Sequence, residues 1–168
     1  MDALSGSGTA MVTLPTDEQI LITRAFDAPQ HLVYKAFTTP ELVKRWWHAN
    51  RGEMTIAEID LRVGGNWRYV MVTDGGVEVG FHGEYREIVP NERIVSTEIY
   101  EGLPEVVSEE EAATVNTATF AEADGRTTLT ILVQATSKVS RDAIIDSGME
   151  AGLQDALDLL EQAAVSLR

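Results

Sequence analysis

Asp60 and Arg62 stand two residues apart in a stretch that reads as β-strand, so their side chains share a face. Such a pair is either a structural ion pair or, if it borders a pocket, the material of acid–base chemistry. Tyr69 and Tyr85 add two hydroxyls, and a buried tyrosine needs a partner for its polar tip. The three histidines, His31, His48 and His82, never fall three or four residues apart, so a histidine-rich metal site is not expected. The chain has no cysteine, which removes disulfide scaffolds, zinc fingers, iron–sulfur sites and thiol nucleophiles together. There is no Gly-rich phosphate loop, no G-x-S-x-G and no close pairing of Ser with His. These residues offer recognition with one or two polar groups, and they imply no cofactor and no metal.

The elements that position them follow from pattern. Residues 1–10 are small and polar and read as a flexible tail, leaving one domain over 11–168. Residues 11–14 are a short β-like piece, and 19–26 alternate as a first strand. Asp27-Ala28-Pro29 starts a helix over 29–37, with Asp27 as a cap. A second short helix runs over 40–47 and ends in Trp46-Trp47. Segments 53–62, 66–73, 77–89, 92–100, 113–122 and 127–136 are strand-like, separated by Gly- and Asn-containing turns. The run 101–113, with five glutamates, reads as a solvated loop. Ser140 caps a long amphipathic helix over 140–166. Short turns make the sheet antiparallel, and one long apolar helix must cover it. The economical arrangement is α+β: a curved antiparallel sheet wrapped around the C-terminal helix, with two short helices after the first strand. The concavity between sheet and helix is the natural place for a small-molecule pocket.

Register decides what faces that concavity. A three-residue loop at Asp74-Gly75-Gly76 sets Met71 opposite Val79, Tyr69 opposite Phe81 and Trp67 opposite Gly83. It gathers Trp67, Tyr69, Met71, Phe81 and Tyr85 on one face and turns His82 outward. These residues are core or pocket wall. The Gly64-Gly65 hairpin has two registers: one turns Ile59 and Leu61 to the aromatic face, the other turns Asp60 and Arg62 there as a polar pocket end. Trp46 and Trp47 are adjacent and cannot face the same way, so one is core and the other lies at a rim. Gly148-x3-Gly152 either lets the last helix approach the sheet or leaves room for a ligand.

Charge narrows the partners. Thirteen basic residues against 27 acidic ones give a net charge of −14, which supplies no basic stripe for nucleic acid and disfavours anionic membranes. The acids read as a solvating shell: the 101–111 loop, Glu78 and Glu84, and Glu150, Asp155, Asp158 and Glu161 on the last helix. No apolar run approaches ~18 residues, so no membrane insertion is expected. The N-terminus lacks the marks of a secretory signal, which makes the cytoplasm the default location. A monomer or a homodimer fits this composition.

Five stretches in order, ITRAFDAP, TTPELVKRWW, IDLRVGG, WRYVM and GFHGEYREIVPNERIV, resemble the activator of heat-shock-protein-90 ATPase (AHSA)-like family. That family belongs to the START-like superfamily, also called SRPBCC or Bet v-like, alongside polyketide cyclases. The resemblance runs from about residue 12 to 165 and implies the same helix-grip fold. It implies a deep apolar cavity with Trp46, Trp47, Trp67, Tyr69 and Met71 on or near it. Phe81, Tyr85, Met149 and Leu153 complete that set by position. Two departures stand out: His48-Ala49 where many members carry Gly-Pro, and Leu153 where many carry Trp.

Three functions are compatible with this reading. The first is a binding protein for a small apolar, aromatic or lipid-like molecule, its specific biological role unassigned. The second is a cyclase/aromatase- or hydrolase-like enzyme working in the same cavity, which would need an ionisable pair there. The third is a co-chaperone-like or regulatory interaction module. The family name implies co-chaperone activity, but in eukaryotic members that also uses a separate N-terminal domain, which 168 residues are not expected to hold.

Overall fold

Strand pairing and side-chain period account for most of the chain. The computed structural model describes residues 9–104 and 106–168. Its strands are β1 (Met11–Thr13), β2 (Gln19–Phe26), β3 (Gly52–Ile59), β4 (Asn66–Thr73), β5 (Glu78–Val89), β6 (Arg93–Tyr100), β7 (Thr114–Ala123) and β8 (Arg126–Gln134). They form one curved antiparallel sheet in the order β1-β2-β8-β7-β6-β5-β4-β3. β3 to β8 follow one another as a meander, and β2 closes onto β8. In β2 every second residue, Ile20, Ile22, Arg24 and Phe26, is buried, so one face carries the core. The Asp124-Gly125 turn has φ of 54° and 77°, the two positive values that a tight hairpin between twisted strands requires.

The helices are α1 (Gln30–Thr38), α2 (Pro40–Val43), α3 (Glu109–Ala112), α4 (Lys138–Asp146) and α5 (Met149–Val165). Pro40 holds Thr39 extended and so separates α1 from α2. Pro29, not Asp27, is the N-cap residue of α1, and the Asp27 N–H donates to Glu161 Oε2 at 2.7 Å. α2 is shorter than the expected 40–47 helix. Its backbone runs on in turns and ends where Ala49 and Asn50 take φ of 53° and 61°.

The C-terminal helix is two helices. Gly148, at φ 82°, leaves the right-handed region and breaks the expected 140–166 rod into α4 and α5. Ser137 does the capping assigned to Ser140: its hydroxyl accepts from Ser140 N at 3.1 Å. The core lies between the concave face of the sheet and helices α1 and α5, where Leu157, Leu160, Ala163 and Ala164 are buried.

Ala10, at the end of the expected tail, is buried. Gln154 in α5 brackets its backbone, accepting at 2.9 Å and donating at 2.8 Å. Residues 1–8 lie outside the described residues, as does Glu105 in the acidic run. The rest of that run is not simply solvated. Ser108 caps α3 by accepting from Glu111 N at 3.1 Å, and Ser140 Oγ donates to Glu111 O at 3.1 Å. Among the described residues, no helix is long and apolar enough to cross a membrane.

Candidate functional site

The β4–β5 hairpin has the three-residue register: Met71 pairs with Val79, Tyr69 with Phe81 and Trp67 with Gly83. Next to it Ile59 pairs with Trp67 and Ala57 with Tyr69, and a bulge between Met54 and Ile56 restores the phase so that Met54 meets Met71. These pairings build one aromatic inward face. Trp67 and Tyr69 lie 4.8 Å apart between ring centroids, and Phe81 and Tyr100 lie 5.0 Å apart.

The two adjacent tryptophans divide. Trp46 is buried, stacks on Phe37 at 5.7 Å and donates to Ala36 O at 3.0 Å, so it is core. Trp47 is half-buried and meets Tyr69 and Phe81 edge-on, each at 5.7 Å. Trp67 is buried with its indole N–H donating to Thr97 O at 3.1 Å. Met71 and Tyr85 are buried, whereas Phe81, Met149 and Leu153 remain half-buried against the core.

Asp60 and Arg62 form no polar end of this face. β3 ends at Ile59, and the pair sits beyond it as an exposed ion pair of 2.9 Å, with side chains 52% and 69% exposed. The register that turns them inward would place Ile59 outward, away from Trp67, and loses the apolar contact. Leu61 is also exposed, because the strand has already ended.

Polar groups that do face inward lie on β6 and β7. Along β6, Ile94, Ser96, Glu98 and Tyr100 share the face of Tyr85 and Phe81, through the pairs Tyr85–Ser96 and Phe81–Tyr100. β7 adds Thr114 and Asn116 to the same face, opposite Glu98 and Ser96. Thr114 Oγ1 donates to Asn116 Oδ1 at 3.0 Å, and Asn116 Nδ2 donates to Glu98 Oε1 at 3.2 Å. Burial pushes the Glu98 carboxyl up, and the Asn116 amide works against that shift. Tyr69 is pushed well up, chiefly by burial, and Tyr85 is pushed up for the same reason. Neither phenol ionises near neutral pH. Read across Pro90-Asn91 from Tyr85, the phase of β6 would turn Glu98 outward; the bulge between Tyr85 and Glu87 reverses it, so the sequence pattern alone gives no signal for Glu98.

On the opposite face, Glu101 binds Arg68 through two hydrogen bonds of 2.9 Å and His82 at 2.8 Å. His82 therefore points outward. Among the described residues, no group of three or more His, Cys, Asp or Glu is arranged to hold a metal ion.

Space inside the grip shows in two ways. Ile131, Ser96, Glu98 and Asn116 face inward from central strands, yet all are part-exposed. Gly152 lies on the inward stripe of α5 with Met149 and Ala156, and a Cβ built on it meets no atom within 4 Å. Of the two readings of Gly148-x3-Gly152, this is the one that leaves room. Two broad depressions of about 670 and 520 Å³ lie elsewhere, one beside Gln30 and Asn91 and the other between Ser108 and Ser140. The aromatic face borders neither.

The model of the family described as Activator of Hsp90 ATPase homolog 1-like protein matches residues 27–164. A crystal structure from Rhodobacter sphaeroides has a TM-score of 0.83 at 23% identity, covering 95% of this chain and 99% of that one. One from Chromobacterium violaceum has a TM-score of 0.71 at 28% identity, covering 86% and 95%. The solution structure of an AHSA1-like protein from Aeromonas hydrophila has a TM-score of 0.62 at 18% identity, covering 88% and 93%. Among proteins of curated description, none matches. The helix-grip architecture and the length of the match lead to one assignment: the chain belongs to the Activator of Hsp90 ATPase homolog 1-like family, within the START-like fold.

Proposed function

We propose that this protein binds a small apolar or aromatic molecule between the sheet and the N-terminal half of α5. The observation that carries the reading is the unfilled position at Gly152, on a helix stripe that otherwise packs on the core. A glycine there lowers helix stability by roughly 1 kcal/mol against alanine, a cost without return unless the space is used. Trp47, Phe81, Met149 and Leu153 are half-buried against the core, and each would gain burial from an apolar occupant. At roughly 25 cal/mol per Å² of apolar area removed from water, a ligand of modest size recovers its binding costs.

An enzymatic reading has less to stand on. Asp60 and Arg62 are exposed at a hairpin, and the tyrosines hold their protons too firmly to exchange them. Among the described residues, an inward carboxylate whose hydrogen-bond partner is a neutral amide supports recognition better than turnover.

Native mass spectrometry of the purified protein, followed by thermal melts against apolar and aromatic compounds, tests the proposal. A co-purifying apolar molecule, or a ligand-dependent rise in Tm that Gly152→Leu abolishes, supports it. No bound mass and no shift with any compound rejects it.

A further inference from the structure

Glu98 is a carboxylate that the core does not need. It points into the grip between Ser96 and Tyr100 along β6. Its Oε1 accepts from Asn116, whose own oxygen is occupied by Thr114, so the carboxylate is oriented by a neutral relay. Among the described residues, its Oε2 accepts no hydrogen bond, and that oxygen is not sealed from solvent. Among the described residues no cation forms an ion pair with it either: Arg24, which also faces inward, is engaged by Asp158 and Glu161. Trp47, Tyr69, Phe81 and Tyr100 pack as a row of rings along the same face, with centroid separations of 5.0 to 5.7 Å for the Trp47–Tyr69, Trp47–Phe81 and Phe81–Tyr100 pairs. Tyr69 lies close enough to Glu98 to feel its charge.

A desolvated carboxylate that has neutral hydrogen-bond partners but no counter-charge is an expensive arrangement, and a cation relieves it. Aromatic rings also attract cations. A hydroxyl could donate to Oε2, but it would leave the charge uncompensated. We infer that the ligand has an apolar or aromatic body and carries a protonated amine, which binds Glu98 Oε2 beside Tyr69. The inference rests on the reading of the grip as a ligand site and names the chemistry of its polar end. Desolvation of the Glu98 carboxyl is the same missing counter-charge seen from the protein's side.

The test is calorimetric titration at pH 7 with three probes sharing one ring system: 2-naphthylmethylamine, 2-naphthylmethanol and 2-naphthoic acid. About 0.3 M salt screens the acidic surface. The amine is expected to bind about tenfold more tightly than the alcohol, with the acid weakest. Glu98→Gln is expected to abolish the preference for the amine, while Glu84→Gln, an exposed acid on the outer face, keeps it. The Glu98→Asp variant retains the charge and is expected to retain part of the preference. An alcohol that binds as tightly as the amine overturns the inference and leaves the ligand site standing. So does an amine preference that survives Glu98→Gln. If none of the three probes binds, the ligand site itself fails and the inference falls with it.

Discussion

Arg24 Nη2 lies 2.6 Å from Asp158 Oδ1, with the arginine side chain 1% exposed and the aspartate 48% exposed. Glu161 Oε1 is a second partner at 3.2 Å, and the guanidinium sits over the Phe26 ring at 4.6 Å. The contact ties α5 to β2. Breaking a buried pair by removing one partner typically costs about 3–5 kcal/mol, so Arg24→Ala is expected to lose that much in urea unfolding. Asp158→Asn should lose roughly 1 kcal/mol or less, since its half-exposed charge is partly replaced by Glu161. Equal losses in the two variants would contradict this division.

Glu101 gives the fold an acid sensitivity. The Arg68 guanidinium, bound to it by two hydrogen bonds, is the largest cause that lowers its carboxyl from an ordinary value near 4.5 to about 2, and His82 adds to the effect. A depressed carboxylate supplies stability fully above the ordinary value and loses it as pH falls toward the folded value. The stability of the wild type should therefore fall between pH 4.5 and 2 more steeply than that of Glu101→Gln. Urea midpoints measured across that interval decide it, and parallel curves for the two proteins would refute the coupling.

Gly152→Ala is expected to stabilise the protein by roughly 0.5–1 kcal/mol, because alanine favours the helix and its methyl meets no atom within 4 Å. Chemical unfolding measures the gain. A loss instead would mean that the position is tighter than its surroundings indicate.

Glu98→Gln should raise stability at neutral pH. Burial disfavours the charged form of Glu98, so the folded state holds its proton above the usual glutamate range. Stability of the wild type then declines as pH rises through that range, the opposite sense to Glu101. Tyr69, the phenol that feels the Glu98 charge, stays protonated there and does not complicate the comparison. The gain in melting temperature from Glu98→Gln should be present at pH 7 and shrink toward pH 4. A gain that does not depend on pH would point to packing as its cause.

The sequence was most readable where one rule decided the answer. β2, α1 and the β4–β5 hairpin follow from alternation, Pro placement and a choice of register that separates apolar from polar side chains. It was least readable where a side chain's role depends on a distant partner. Asp155, Asp158 and Glu161 read as a solvent face, yet they serve as counter-ions to Arg51 and Arg24 from other elements. Asp60 and Arg62 drew attention by their spacing, but spacing on a strand means nothing once the strand has ended at Ile59. Glu98 is not legible because β6 holds apolar residues in both phases, and only its pairing with β5 tells which side faces in. Gly148 lies between two helical patterns in phase with each other, so periodicity alone did not mark the break.

The ends of the sheet decide how it meets other chains. β1 is three residues long and runs directly toward Pro15, so it offers little backbone for a further strand. β3, at the other end, carries a bulge after Met54 and exposed glutamates at 53 and 58. A short edge, a kinked edge and repelling charge are the devices that stop open sheets from adding strands. Among the described residues the ladder thus ends in a short edge on one side and a bulged, acidic edge on the other, which disfavours growth of a fibre from crowded copies.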